Sequence, residues 1–148
     1  MEDHQMRMHK LAARGYSCSQ VMIQLGLDLR GEDNPDLVHA LAGLAYGCGE
    51  GRATCGAFTG GCCLLALYAA PKCSGTADGQ RLPLMLSELS AWFEERIGLK
   101  HGKISCTAIT GEKGPAASRQ RCGVIVSETF AQAVAILLAH GFDPHDSQ

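Results

Sequence analysis

The sequence predicts an all-α protein, a single compact, bundle-like helical domain of about six to seven helices that spans residues 1–148. Apolar residues recur at helical spacing along most of the chain. Residues typical of helix starts and ends separate these segments, and no alternating apolar–polar run is long enough for a strand. Apolar residues make up 46% of the chain, which is enough for one buried core. No repeat or linker divides the domain.

Helix-start and helix-stop residues divide the N-terminal part into three predicted helices. The first spans Met6–Arg14 and ends at Gly15, and the second begins at Ser17 with the Ser-x-x-Gln pattern of a capping box. Asn34 followed by proline begins the third, and a glycine-rich loop over 47–51 comes after it. The residues predicted to face inward from the second helix are Val21, Leu25 and Leu29.

The C-terminal part is predicted to contain longer helices joined by loops. The stretches 71–79 and 111–118 are predicted loops because they are rich in turn-forming residues. The predicted helical segments run from Thr54–Cys55 to near Ala70, over Leu82–Ile97, over Ser105–Ile109 and from about Arg119 to His140. The residues expected to face inward from the last helix are Ile125, Phe130, Val134, Leu137 and Leu138.

Composition and charge argue against nucleic-acid binding and against a membrane span. The net charge is −2 and the 13 basic residues are scattered, so no electropositive surface for nucleic acid is expected. Residues 53–71 carry no charge, but their length is at the lower limit for a membrane span of roughly 20 residues. Their glycines and threonines favour a buried central helix. The polar, acidic N-terminus is not a secretory signal, so a cytoplasmic location is expected.

Eight cysteines are the unusual feature of this composition. In a cytoplasmic protein, cysteines are more often catalytic, redox-sensing or metal-binding than paired in structural disulfides. Four of them lie at predicted helix starts, where free backbone N–H groups and the helix dipole favour a thiolate. We therefore expect lowered pKa values for these four. They are Cys18, Cys55, Cys106 and Cys122.

The other four cysteines have different surroundings. Cys62 and Cys63 lie within an apolar helix, where a raised pKa and a packing role are expected. Cys48, in the glycine-rich loop, is either an extra ligand or resolving thiol or an incidental residue, and Cys73 is predicted to be an incidental surface thiol. No Cys-x-x-Cys pair occurs in the chain. Any redox or metal site must therefore be assembled by tertiary folding.

Small residues follow Cys55 in the predicted central helix. Gly56 and Gly60 are four residues apart, and glycine at such spacing lets another helix or a cofactor approach the backbone closely. His101 precedes Cys106 by a few residues and could act as a ligand or proton donor, although a solvated surface histidine is the simpler interpretation. The remaining histidines have no metal-ligand spacing.

These residues resemble a known family. Cys18, the stretch Cys55-Gly-Ala-Phe-Thr-Gly60, Cys106 and Cys122 are similar in identity and order to the C-GCAxxG-C-C family of putative redox-active proteins. The resemblance covers most of the chain and implies a small helical domain with a cysteine-based redox role. It marks the same four cysteines as site residues, with Gly56, Ala57 and Gly60 as candidate cofactor contacts.

Three hypotheses follow for the function. The first is thiol–disulfide redox chemistry by the four cysteines, which includes a thiol-dependent oxidoreductase acting with an unidentified redox partner protein. The second is that the same four cysteines bind zinc or an iron–sulfur cluster for electron transfer or sensing. The third is a non-catalytic helical interaction module in which the cysteines only pack. Disulfide connectivity and self-association as a homo-oligomer stay open at this level.

Overall fold

A computed structural model of the chain describes residues 3–70, 81–111, 114 and 118–145. Within these residues the fold is all-α, with no strand and one isolated antiparallel bridge between Thr54 and Ser105. The fold class is therefore confirmed, and seven α-helical segments have five or more residues. In chain order the α-helical segments are α1 His4–Ala13, α2 Cys18–Arg30, α3 Pro35–Ala40, α4 Ala45–Cys48, α5 Gly56–Ala69, α6 Arg81–Phe93, α7 Leu99–His101, α8 Cys106–Thr110 and α9 Arg119–Ala139.

Local sequence signals account for the starts and ends of the N-terminal helices. The Ser17 N–H donates to the Gln20 Oε1 at 3.0 Å, which is the reciprocal bond of the predicted capping box. Helix α2 ends at Arg30 and is capped by Gly31, whose φ of 66° is the left-handed conformation that favours glycine. The Asn34 Oδ1 accepts from the Leu37 N–H at 3.1 Å and caps α3.

Helix α5 lies at the centre of the fold and packs against α2, α6 and α9. A Cβ atom at Gly60 would lie 3.0 Å from the Ser19 Cα of α2. A Cβ at Gly61 would lie 3.2 Å from the Leu89 Cδ2 of α6 and 3.3 Å from the Thr129 Cγ2 of α9. Because these two positions have no side chain, α2, α6 and α9 approach α5 more closely than alanine would allow.

The buried core extends along α2, α5, α6 and α9. In α2 the predicted inward residues Val21 and Leu25 are buried, and Leu29 packs partly buried against the core. In α9 the prediction is correct for Ile125, Phe130 and Leu137, while Val134 is half-buried. It is wrong for Leu138, which is 59% exposed. Adjacent helical residues differ by about 100° in direction, so Leu137 and Leu138 do not share one face.

Two predicted helices are interrupted. The third predicted helix gives way after α3 to a 3₁₀ turn over Leu41–Leu44, and the amphipathic helix changes after α6 to a π-helical turn over Glu94–Gly98. Ile97 nevertheless stays buried, so the inward face continues through the π turn. The predicted loop over 71–79, with Cys73, and most of the loop over 111–118 lie outside the described residues.

Among the described helices, α9 alone meets the length and composition test for crossing a membrane. It has 21 residues and a mean hydropathy of 1.8, whereas the apolar helix α5 has 14 residues and is shorter. In this fold α9 packs on α1, α2, α5 and α6. Its apolar residues Ile125, Phe130 and Leu137 contribute to the core.

Candidate functional site

Backbone hydrogen bonds hold the starts of α5 and α8 side by side. The Cys55 N–H donates to the Ile104 carbonyl at 2.7 Å, and the Cys106 N–H donates to the Ala53 carbonyl at 3.0 Å. Cys55 is the N-cap residue of α5, so this helix begins one position later than predicted, and Cys106 is the first residue of α8. Two of the four predicted cysteines are thus fixed on adjoining segments.

Cys18, the first residue of α2, lies against the first residue of α5. A Cβ atom at Gly56 would lie 2.5 Å from the Cys18 Sγ and 3.1 Å from the Leu44 carbonyl oxygen. Because any side chain at Gly56 would displace the Cys18 sulfur, the predicted close approach is confirmed, and the neighbour is a cysteine. Gly60 packs on α2, while Ala57 is buried. Contact of these positions with a cofactor stays a prediction.

A left-handed turn completes this side of the site. Tyr46, Gly47 and Cys48 have consecutive φ values of 58°, 60° and 58°, a conformation that costs roughly 1–2 kcal/mol for each residue with a side chain. The Gly51 N–H holds the turn by donating to the Tyr46 carbonyl at 2.8 Å. A Cβ at Gly47 would lie 2.9 Å from the Cys106 Cβ. Glycine density was the only sequence signal for this turn.

The four predicted cysteines line one cavity of about 1360 Å³. Cys122 reaches it from the first turn of α9, which the sequence also predicted. The described cysteines outside the cavity lining are Cys48, Cys62 and Cys63. Three separate helix starts and the N-terminal turn of α9 therefore converge on one space.

The predicted lowering of the cysteine pKa values is wrong. Burial raises the pKa of Cys55 to about 12, and the backbone N–H groups of Ala57 and Phe58 lower it by less. Burial also raises the pKa of Cys18, against the opposing hydrogen bonds from the Tyr46 and Ser19 backbone. The helix-start geometry was predicted correctly, but removing a thiolate from water costs more than these N–H donors return.

The same thiols act on one another electrostatically. After burial, the charges of Cys18 and Cys106 raise the pKa of Cys122, against a smaller opposing effect of Arg121. Burial raises the pKa of Cys106 as well, although the Thr110 hydroxyl lowers it. Ionisation of one thiol in the cavity therefore opposes ionisation of its neighbours.

Comparison with known proteins supports the resemblance noted in the sequence. The family model described as "Putative redox-active protein (C_GCAxxG_C_C)" matches residues 16–136. The chain belongs to this family. No curated protein and no solved structure matches the chain. The matched range contains all four cavity cysteines, and the family supplies the coarse functional class, a redox-active protein.

Among the described residues, the cavity lining does not include His101 or the three cysteines that are extra to the family pattern, Cys48, Cys62 and Cys63. Burial raises the pKa of Cys62 to about 11 and also raises that of Cys63, as predicted for thiols within the helix. Cys48 is exposed, and its role as a ligand or resolving thiol stays a prediction. The His101 pKa is lowered by burial and by nearby Arg121 and Lys100.

The four family cysteines have the right chemistry for a metal, since zinc and iron–sulfur clusters both take four thiolates. In the described part of the chain, however, no three or more His, Cys, Asp or Glu side chains form a group that could hold a metal ion. The seven described cysteines are all free thiols. The arrangement as it stands therefore does not fit a single bound ion.

Proposed function

We propose that this protein carries a dithiol–disulfide redox centre in which Cys18 and Cys55 form the cycling pair. The observation that carries the proposal is the position of the Cys18 sulfur against Gly56, the residue that follows Cys55. Cys106 and Cys122 line the same cavity and are the candidate resolving or relay thiols. The proposal includes a cytoplasmic location and an external redox partner that recycles the disulfide.

The electrostatic neighbours of Cys55 support this pairing. Among the other thiols, the charge of Cys18 has the largest effect on the Cys55 pKa, ahead of that of Cys122. Cys18 and Cys55 also sit at the starts of α2 and α5, two helices that pack closely along their length. Their sulfurs are thus supported by backbone that is fixed by the core.

The chemistry follows from the neutral state of the buried thiols. Oxidation breaks two S–H bonds and forms one S–S bond, and an acceptor takes two electrons and two protons. Both end states are uncharged, so burial penalises only the intermediate thiolate. Because the thiolate is the attacking species, oxidation should accelerate as the pH rises.

Thiol mapping tests the proposal. Protein reduced and handled without oxygen is treated with diamide, a small uncharged thiol oxidant, and free thiols are then alkylated and identified by mass spectrometry. We expect the loss of two thiols and a peptide that joins Cys18 to Cys55. Cys18→Ser and Cys55→Ser should each abolish this peptide, while Cys62→Ser, which removes a thiol outside the cavity, should retain it.

Two results would overturn the proposal. An equal number of free thiols before and after oxidation would leave no dithiol centre. Stoichiometric iron or zinc in protein purified without oxygen would instead assign the four cysteines to a metal centre, the second hypothesis. Elemental analysis of the same preparation therefore accompanies the thiol map.

A further inference from the structure

The cavity beside the four thiols is large enough for a small molecule and mainly apolar. Its volume of about 1360 Å³ exceeds the 300–1,000 Å³ that is usual for small-molecule sites. The walls nearest the core are buried side chains of α1, α2, α5, α8 and α9. They include Met8, Val21, Ala57, Ile109 and Ile125.

The charged side chains that line the cavity are at its exposed margin. His9, Glu50 and Arg119 are exposed. Glu128 is half-buried and accepts from the Arg96 guanidinium at 3.0 Å. Among the described lining residues, no buried cation is available to neutralise a carboxylate or phosphate. Since an unpaired buried anion is strongly unfavourable, the cavity favours an uncharged molecule.

Two tyrosines provide flat surfaces in the lining. Tyr16 is half-buried, and Tyr46 is 47% exposed on the left-handed turn beside the Cys18 sulfur. The turn is held by the Gly51 hydrogen bond and by the missing side chain of Gly47, so the Tyr46 backbone is fixed beside the Cys18 sulfur, to which its N–H donates. Aromatic rings stack favourably on other flat rings. The lining therefore favours a ring-shaped molecule.

We infer that the cavity binds an uncharged, ring-shaped two-electron acceptor of the quinone class, which oxidises the Cys18–Cys55 pair. The inference rests on the proposed dithiol centre and names its oxidant. Two thiols lose their hydrogens and form one S–S bond, while the two quinone carbonyl oxygens each gain a hydrogen and become hydroxyls. The electron pair passes from sulfur to the quinone ring, and no net charge is created in the apolar cavity.

Duroquinone tests this inference, because its four methyl groups leave no unsubstituted ring position for thiol addition. Reduced protein is mixed with duroquinone without oxygen, and hydroquinone formation is followed by absorbance. We expect a rate that saturates with duroquinone concentration, one hydroquinone for each disulfide, and a 2 Da mass loss located at Cys18 and Cys55. A rate that rises linearly without saturation would overturn a binding site.

Variants at Tyr46 sharpen the test. Tyr46→Ala should raise the half-saturating duroquinone concentration about tenfold, the effect of one lost stacking contact. Tyr46→Phe, which keeps the ring, should restore it. Leu84→Ala is the matched control, since Leu84 is also an exposed apolar residue but lies on α6 outside the cavity lining. Equal values for Tyr46→Ala and Leu84→Ala would overturn the inference.

A parallel reaction separates this inference from the proposed function. If diamide produces the Cys18–Cys55 disulfide and duroquinone does not, the quinone inference fails and the dithiol centre stands. If neither oxidant produces it, both fail. Faster oxidation by glutathione disulfide, a charged peptide, than by duroquinone would also overturn the inferred substrate class.

Discussion

The start and the middle of helix α5 contain cysteines with similar acidity and different surroundings. Burial raises the pKa of Cys55 to about 12 and that of Cys62 to about 11. The neighbouring thiols of Cys55 are Cys18 and Cys122, which come from other helices, whereas Cys62 has Cys63 beside it on the same helix. A lowered pKa therefore does not mark the redox candidates here. The redox candidates are distinguished instead by the convergence of thiols from separate segments of the chain.

The largest expected effect is at Gly60, in the middle of this comparison, where α5 packs directly on the backbone of α2. In Gly60→Val the Cβ would lie 2.9 Å from the Met22 Cβ and 3.0 Å from the Ser19 Cα. Overpacking of this kind should lower the free energy of unfolding by about 3 kcal/mol, measured by urea denaturation.

The control for Gly60 is Gly123→Ala in α9, where nothing lies within 4 Å of the added Cβ. Removing a glycine from an open helix position should raise the free energy of unfolding by up to about 1 kcal/mol. Equal stability of Gly60→Val and this control would contradict the close packing of α2 and α5.

A smaller effect on stability is expected in the left-handed turn beside the cavity. Gly47→Ala adds a Cβ at a φ of 60° and within 2.6 Å of the Ala53 carbonyl oxygen. We expect a loss of about 2 kcal/mol in the free energy of unfolding and faster alkylation of Cys18 and Cys106 in the folded protein. Gly43→Ala is the control, because it meets nothing within 4 Å and has no positive φ.

The smallest expected effect is on the pH dependence of the free energy of unfolding. The Cys55 pKa is about 12 in the folded chain against an ordinary 9.0, so the unfolded chain loses this proton first. The stability it contributes is fully present below about pH 9 and is lost as the pH rises towards 12. Between pH 9 and 10 the loss should be about 1 kcal/mol.

Urea denaturation at the two pH values measures this loss. Cys55→Ser should lose about 1 kcal/mol less than the wild type over the same interval, while Cys48→Ser controls for removal of an exposed thiol. If the wild type and Cys55→Ser had the same pH dependence, the pKa of Cys55 would be the same in the folded and unfolded chains. That result would contradict the prediction.

Most helix starts were predictable because their signals are local. Ser17 with Gln20 and Asn34 with proline satisfy backbone groups within one turn, so a few residues suffice to place α2 and α3. The π turn after α6 and the exposure of Leu138 were missed. Both depend on how each helix meets its neighbours, which periodicity alone does not define.

The sequence by itself determined the all-α fold, the helix-start positions of the four cysteines and the family to which the chain belongs. Tertiary structure alone decided that Cys18 lies against Gly56, that a left-handed turn faces Cys106, and that burial in a shared cavity raises the pKa of the thiols. The physical reason is the separation along the chain over which each interaction acts. Caps and periodicity act within a turn or two of chain, whereas burial and sulfur–sulfur proximity depend on segments that are distant in sequence.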